Sequence, residues 1–142
     1  MSALTTERNT IRQGDAYACL LSYGAKAATK SYKGALIALN SGFAAPGATA
    51  TGRVAVGVCL ETTDNTSGAD NALQVPIRSG IFKFANHGAD LIVTADHGKT
   101  CYIVDDQTIA KTDGTGTRSA AGKVILVESD GVWLLIGIDV TP

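Results

Sequence analysis

Two apolar, β-branched runs near the C-terminus lie on either side of a short polar loop. The runs cover residues 123–127 and 132–138, and Glu-Ser-Asp-Gly lies between them. Such runs around an Asp-Gly loop are typical of a β-hairpin, in which Asp130 and Gly131 tolerate positive φ angles. We predict that this hairpin is the centre of a β core and that residues 102–104 form a neighbouring strand.

The rest of the chain repeats this pattern of short apolar runs and turn residues. Such runs occur at roughly 8–12-residue spacing, a pattern typical of a sandwich or barrel. Sixteen glycines and 18% charged residues also favour short strands over a helical bundle. We predict an all-β fold, a single-domain β-barrel or β-sandwich of short antiparallel strands. This domain covers residues 14–142 and follows an extended N-terminal arm, residues 1–13.

Several local features lead to more detailed predictions. Gly57 lies inside an apolar run and indicates a bulge or a close backbone approach. Residues 22–33, rich in Ala and Lys, are predicted as an exposed loop or a helical turn, and residues 61–71 as a long polar loop. A further short apolar run, residues 90–94, is counted among the strands. It leads into a capped turn with Thr94 as N-cap and Gly98 as its left-handed exit.

Composition and charge exclude several classes of function. The net charge is −1 and no basic stripe is present, so we expect no direct contact with nucleic acid. No segment resembles a signal peptide or a membrane span, and we expect a protein that is made in a cytosol and has no membrane partner. Cys19, Cys59 and Cys101 have no metal-ligand spacing, and we interpret them as small apolar residues, with a disulfide or an intermolecular bridge as the alternative.

No set of residues forms a recognisable reaction centre. Asp105 and Asp106 are adjacent, so on a strand they would point to opposite faces, and we predict a turn in which they cap backbone amides. His87 and His97 have no nucleophile in a recognisable motif. The glycine-rich residues 113–117 lack the lysine of a phosphate-binding loop and are predicted as a flexible hairpin connection. We predict a protein that is not an enzyme, with no catalytic, cofactor-binding or metal-binding residues.

The segment Arg78-Ser79-Gly80 resembles a phosphate-contacting segment of small trimeric dUTP pyrophosphatases, whose chains are of similar length. The aspartate that those enzymes carry soon afterwards is missing here, and so is their glycine-rich C-terminal motif. We therefore discount this resemblance and keep a trimeric β-fold nucleotide hydrolase only as an alternative function. A second alternative is a host-binding or carbohydrate-binding fibre module, which would need an exposed aromatic cluster.

The order of segments from about residue 17 to the end resembles the small decoration, or cement, proteins of tailed-phage heads. The most specific stretch is Thr-Ala-Asp-His-Gly-Lys at 94–99, followed by Cys-Tyr-Ile-Val-Asp-Asp-Gln-Thr-Ile-Ala at 101–110. Matching segments also lie at 34–40, 57–58, 75–82, 121–124 and 130–133. The first dozen residues carry none of the resemblance.

The resemblance implies a structural virion protein on the outer surface of the capsid, made in the cytoplasm of the bacterial host. Such a protein binds between major capsid protein subunits after shell expansion and stabilises the head against the pressure of packaged DNA. It also implies an all-β homo-oligomer without cofactor or catalysis.

The sequence offers two sets of contact candidates for such a protein. The N-terminal arm has no pattern that would pack on its own core, so we expect it to reach onto a neighbouring capsid subunit. Its candidate contact residues are Leu4, Arg8, Ile11 and Arg12. Apolar strand residues around Tyr102 and Trp133 exceed what one small core can bury and are candidates for the oligomer interface. A trimer is slightly favoured over a dimer.

Overall fold

The computed structural model describes Thr6 and residues 20–138, and strands dominate this part of the chain. The described part has one helical element, a 3₁₀ turn over Thr94–Asp96. This architecture confirms the all-β prediction. The strands are β1 (Leu20–Gly24), β2 (Thr29–Ser31), β3 (Leu36–Asn40), β4 (Phe43–Pro46), β5 (Val54–Cys59), β6 (Thr63–Asn65), β7 (Gln74–Arg78), β8 (Gly80–Asn86), β9 (Thr100–Ile103), β10 (Thr108–Ala110), β11 (Ala120–Glu128) and β12 (Gly131–Ile136).

The strands form a sheet, a barrel and a ribbon. The sheet has the order β1-β7-β5-β3-β4, and the ribbon pairs β2 with β6. The closed barrel has the order β10-β8-β12-β11-β9, and every pairing among the strands is antiparallel except β10 with β8. Beyond β1, Ala25 bridges to Ala44 in β4, and the Lys26 N–H donates to the Ala44 carbonyl at 2.8 Å. The sheet therefore curls until its two edges meet at this point.

The predicted C-terminal hairpin is confirmed as the centre of the barrel. β11 and β12 pair from Glu128↔Gly131 to Lys123↔Leu135 and are flanked by β9 and β8. Asp130 and Gly131 tolerate positive φ angles, but neither residue has one in this turn. The register of β11 shifts between Val124 and Leu126. We attribute the difference to this bulge, which adds the twist that a positive-φ turn otherwise provides.

Two apolar clusters lie on opposite faces of the sheet. Successive residues of a strand point to opposite faces, and β3 follows this rule: Leu36 and Ala38 pack with the barrel, while Ile37 and Leu39 pack inside the curl of the sheet. Both faces of the central strands are thus buried, which explains their almost uninterrupted apolar sequence. The cluster on the barrel side contains residues of both the sheet and the barrel, so these two parts share a core.

Gly57 combines the two features predicted for it. The register between β3 and β5 shifts at this point, so Ala55 and Val58 both face the barrel although they are three residues apart. Gly57 has a φ of 153°, and a Cβ atom there would lie 2.3 Å from the carbonyl oxygen of Arg78. Only glycine permits this approach of β5 to β7.

The predictions for residues 22–33 and 61–71 are wrong. The first segment contains the end of β1 and all of β2, and the second contains β6. The pairing runs from Thr29↔Asn65 to Ser31↔Thr63. The buried Asn65 side chain fixes the ribbon, because its amide donates to the carbonyls of Lys26 and Ala69.

The run at residues 90–94 is not a strand. Ile92 is buried, and its N–H and carbonyl both bond to the Asn86 side chain, at 2.9 Å each. Thr94 is the first residue of the 3₁₀ turn rather than its N-cap, and the Asp96 carboxylate accepts a hydrogen bond from the N–H of Val93. Gly98 has the predicted left-handed conformation, with φ of 82°.

Candidate functional site

Trp133 lies on the outer wall of the barrel, on β12, and is half-buried. Its indole N–H donates to Glu128 at 2.5 Å, and the Lys83 ammonium lies 5.7 Å from the ring centroid. Lys83 also contacts Asp130 at 2.6 Å and Glu128 at 3.4 Å. These contacts hold the tryptophan, the lysine and both acids together at the tip of the hairpin.

The ion pair at this tip changes the titration of both partners. The hydrogen bond from Lys83 lowers the pKa of the Asp130 carboxyl below its usual range, and the same bond raises the pKa of Lys83. Both groups are charged at neutral pH. The hairpin tip therefore carries two negative charges and one positive charge.

The same wall of the barrel exposes further apolar side chains. Trp133 pairs with Leu126 on one side and Lys83 on the other, and Leu135 pairs with Lys123 and Ile81. Trp133 and Leu135 alternate with the buried residues of β12, so they point outward. We call this surface the outer barrel face, and its apolar members are Ile81, Ile125, Leu126, Trp133 and Leu135.

Of this face, only Trp133 was predicted from the sequence as an interface residue. The missed signal is the adjacent pair Ile125 and Leu126, because a strand with one wet face should alternate apolar and polar residues. Both side chains are exposed. An uninterrupted apolar run at the edge of a predicted core therefore indicated an apolar outer surface as well.

Tyr102 also lies on the barrel wall but does not pair with Trp133. It is half-buried on β9 and lies opposite Ala110 on β10 and Ala120 on β11. Its neighbours Cys101 and Ile103 point into the core. The two aromatic candidates are thus on different strands and do not face each other. The arm candidates Leu4, Arg8, Ile11 and Arg12 lie outside the described residues.

Asp105 and Asp106 occupy the predicted turn, between β9 and β10. The Asp105 carboxylate accepts a hydrogen bond from the N–H of Gln107 at 2.9 Å, which confirms the capping role for Asp105. Burial raises the pKa of Asp106, and the neighbouring Asp105 charge adds to this shift. Asp106 borders a shallow depression of about 430 Å³, whose other lining residues are Tyr32, Lys33, Gly34, Ala35 and Gln107.

His97 and the described cysteines have structural surroundings. His97 Nε2 accepts a hydrogen bond from the N–H of Val127, which ties the 3₁₀ turn to β11. Cys59 and Cys101 are free and buried. Burial raises the pKa of Cys101 to about 12, so its thiol is protonated and unreactive at neutral pH.

A polar clamp holds the connection between β10 and β11. Arg118 donates to Asp90 at 2.9 Å and to the carbonyl of Thr112 at 3.1 Å, and Asp90 also accepts from the Thr112 hydroxyl at 2.6 Å. The Thr112 hydroxyl is the main reason why the pKa of Asp90 is lowered. The glycine-rich residues 113–117 are therefore fastened at their base to the loop before the 3₁₀ turn.

Within residues 20–138, no three acidic, histidine or cysteine side chains gather in a way that could hold a metal ion. The described part of the chain also has no helix of the length and apolarity that a membrane crossing requires. No family model, no curated protein and no solved structure matches this chain.

Proposed function

We propose that this chain is a structural protein of a tailed-phage head, which decorates the outside of the capsid as a homo-oligomer. In this role it binds between neighbouring major capsid protein subunits and stabilises the expanded shell against the pressure of packaged DNA. It acts without cofactor or catalysis, and its location is the outer surface of the virion.

The ordered set of segments that resembles cement proteins carries this proposal. These segments include β3, the β7–β8 junction, the 3₁₀ turn with β9 and β10, and both strands of the central hairpin. The resemblance therefore falls on the framework of both the sheet and the barrel. A match limited to one loop would have given weaker support.

The chemistry of the described surface agrees with a binding role. The polar clusters on the surface, such as Asp90 with Arg118 and Lys83 with Asp130, are paired within the chain. The outer barrel face, in contrast, exposes several large apolar side chains. Exposed apolar surfaces of this kind are typical of sites at which a protein binds another protein.

Binding to purified heads tests the proposal. Expanded and unexpanded heads of the phage that encodes the chain are incubated with purified protein, and bound copies are counted by gel densitometry and electron cryomicroscopy. We expect saturable binding to expanded heads only and a higher temperature of DNA release. Purified virions without the protein, or hydrolysis of dUTP by the protein with magnesium, would contradict the proposal.

The N-terminal arm is tested in the same assay. Deleting residues 1–13 should lower occupancy on expanded heads, because the arm is proposed to reach a neighbouring subunit. The double variant Arg8→Ala, Arg12→Ala should lower it as well, whereas Glu7→Ala, in the same arm, serves as the control. Unchanged occupancy after the deletion would show that the arm makes no contact with the shell.

A further inference from the structure

The outer barrel face is large, apolar and uncovered in the described structure. Ile81 is 51% exposed, and Ile125 and Leu126 are each 44% exposed. Trp133 and Leu135 lie between them on β12. Monomeric proteins seldom expose so many large apolar side chains on one contiguous sheet face, so this face is expected to be covered by a partner.

The charges at the two ends of this face differ in sign. At the hairpin tip, Glu128 and Asp130 surround Lys83, which leaves one net negative charge. Lys123 lies at the other end of the face, opposite Leu135, where it donates to the hydroxyl of Thr100. Four to five residues separate the ends, or about 13–16 Å along the strands.

We propose that the outer barrel face binds the same face of a second copy of this chain, related by a two-fold axis that crosses the strands. Such an axis reverses the strand direction, so Lys123 of each copy lies near the acidic hairpin tip of the other. A two-fold axis parallel to the strands would place ends of like charge together. The crossing axis therefore forms two attractive contacts around one apolar centre.

The charge pattern indicates a second copy rather than a different protein. A two-fold interface requires one surface that is complementary to itself. Here a single surface carries both charge signs at its opposite ends and apolar residues in between. A cyclic trimer instead joins two different surfaces, so this face favours a dimer over the trimer predicted from the sequence. The pairing does not depend on the presence of a phage head.

The apolar part of the interface is tested with matched leucine variants. The full chain should sediment as a dimer at micromolar concentration. Leu126→Ser removes apolar contact from both halves of the interface and should raise the dimer dissociation constant by about tenfold to a hundredfold. Leu91→Ser is the control, because Leu91 is a similarly exposed leucine outside this face. An equal effect of the two variants, or a monomer at all concentrations, would overturn the proposal.

The charges provide a second test, in which rescue by mixing two variants separates a loss of pairing from a loss of folding. Lys123→Glu and Asp130→Lys should each weaken the dimer by about tenfold, because each places like charges together at two symmetric contacts. A mixture of the two variants should restore dimers, since each end then meets its opposite. Controls are Lys33→Glu and Asp113→Lys, at exposed positions outside the face. A mixture that stays monomeric, or a wild-type trimer, would refute the two-fold pairing.

Discussion

Replacing Gly57 with alanine tests whether the close approach of β5 and β7 holds the sheet together. The new Cβ would lie 2.3 Å from the Arg78 carbonyl oxygen, where about 3.4 Å is the lower limit of an ordinary contact. The strands must therefore separate by about 1 Å. Only Val58↔Arg78 and Cys59↔Ile77 pair β5 with β7, so this separation affects their whole pairing. The φ of 153° adds backbone strain.

We expect Gly57→Ala to lower the free energy of unfolding by about 2–5 kcal/mol. Backbone strain accounts for about 1–3 kcal/mol of this, and the forced movement of packed strands for a similar amount. The total is a large part of the free energy of unfolding of a typical domain, which is roughly 5–15 kcal/mol. Urea unfolding followed by circular dichroism measures the loss directly.

Gly98→Ala is the matched control for this experiment. Gly98 also has a positive φ, 82°, but a Cβ atom there would meet nothing within 4 Å. Its replacement should cost about 1 kcal/mol, from backbone strain alone. If Gly57→Ala is no more destabilising than Gly98→Ala, the contact with Arg78 does not limit the sheet and the role assigned to Gly57 is wrong.

Three further outcomes are expected. Asp90→Asn should destabilise the protein at pH 7 and should reduce the loss of stability that acid causes below about pH 4. The reason is that a carboxyl with a lowered pKa stabilises the fold only while it is ionised. Equal acid sensitivity of the variant and the wild type in urea titrations would contradict this. Cys101 should resist iodoacetamide at pH 8 until the protein unfolds, as peptide mass spectrometry can show, and rapid labelling of the native protein would disprove its burial. Leu134→Ala should lower the free energy of unfolding by about 2–5 kcal/mol and Leu135→Ala by clearly less, since Leu134 is fully buried and Leu135 is on the outer face. Similar losses of stability in thermal melts would mean that the inward and outward residues of β12 are wrongly assigned.

The sequence predicted the fold best where one segment carried its own signal. The hairpin was predictable because both apolar runs and the loop lie within about fifteen residues. Gly57 was predictable because a glycine inside an apolar strand usually marks a bulge or a close backbone approach. In both cases the information was local.

The predictions failed where the structure depends on distant partners. β2 and β6 are three residues each, and neither has a strand-like composition. Each is a strand because it pairs with the other. Ile92 is apolar like a strand residue, yet Asn86 supplies the hydrogen bonds that a neighbouring strand would otherwise provide. The outer barrel face was recognised only in part, because composition does not tell which side of a strand faces water. Its charge pattern appears only after the register is known.

The sheet and the barrel meet at a single residue in the chain, because β7 ends at Arg78 and β8 begins at Gly80. A ribosome therefore delivers the whole sheet before any strand of the barrel, and proteins begin to fold in this order. Until the second half has emerged, Leu36 and Ala38 lack the barrel residues that cover them in the finished molecule. The nascent first half therefore exposes an apolar surface, and completion of the barrel ends that exposure.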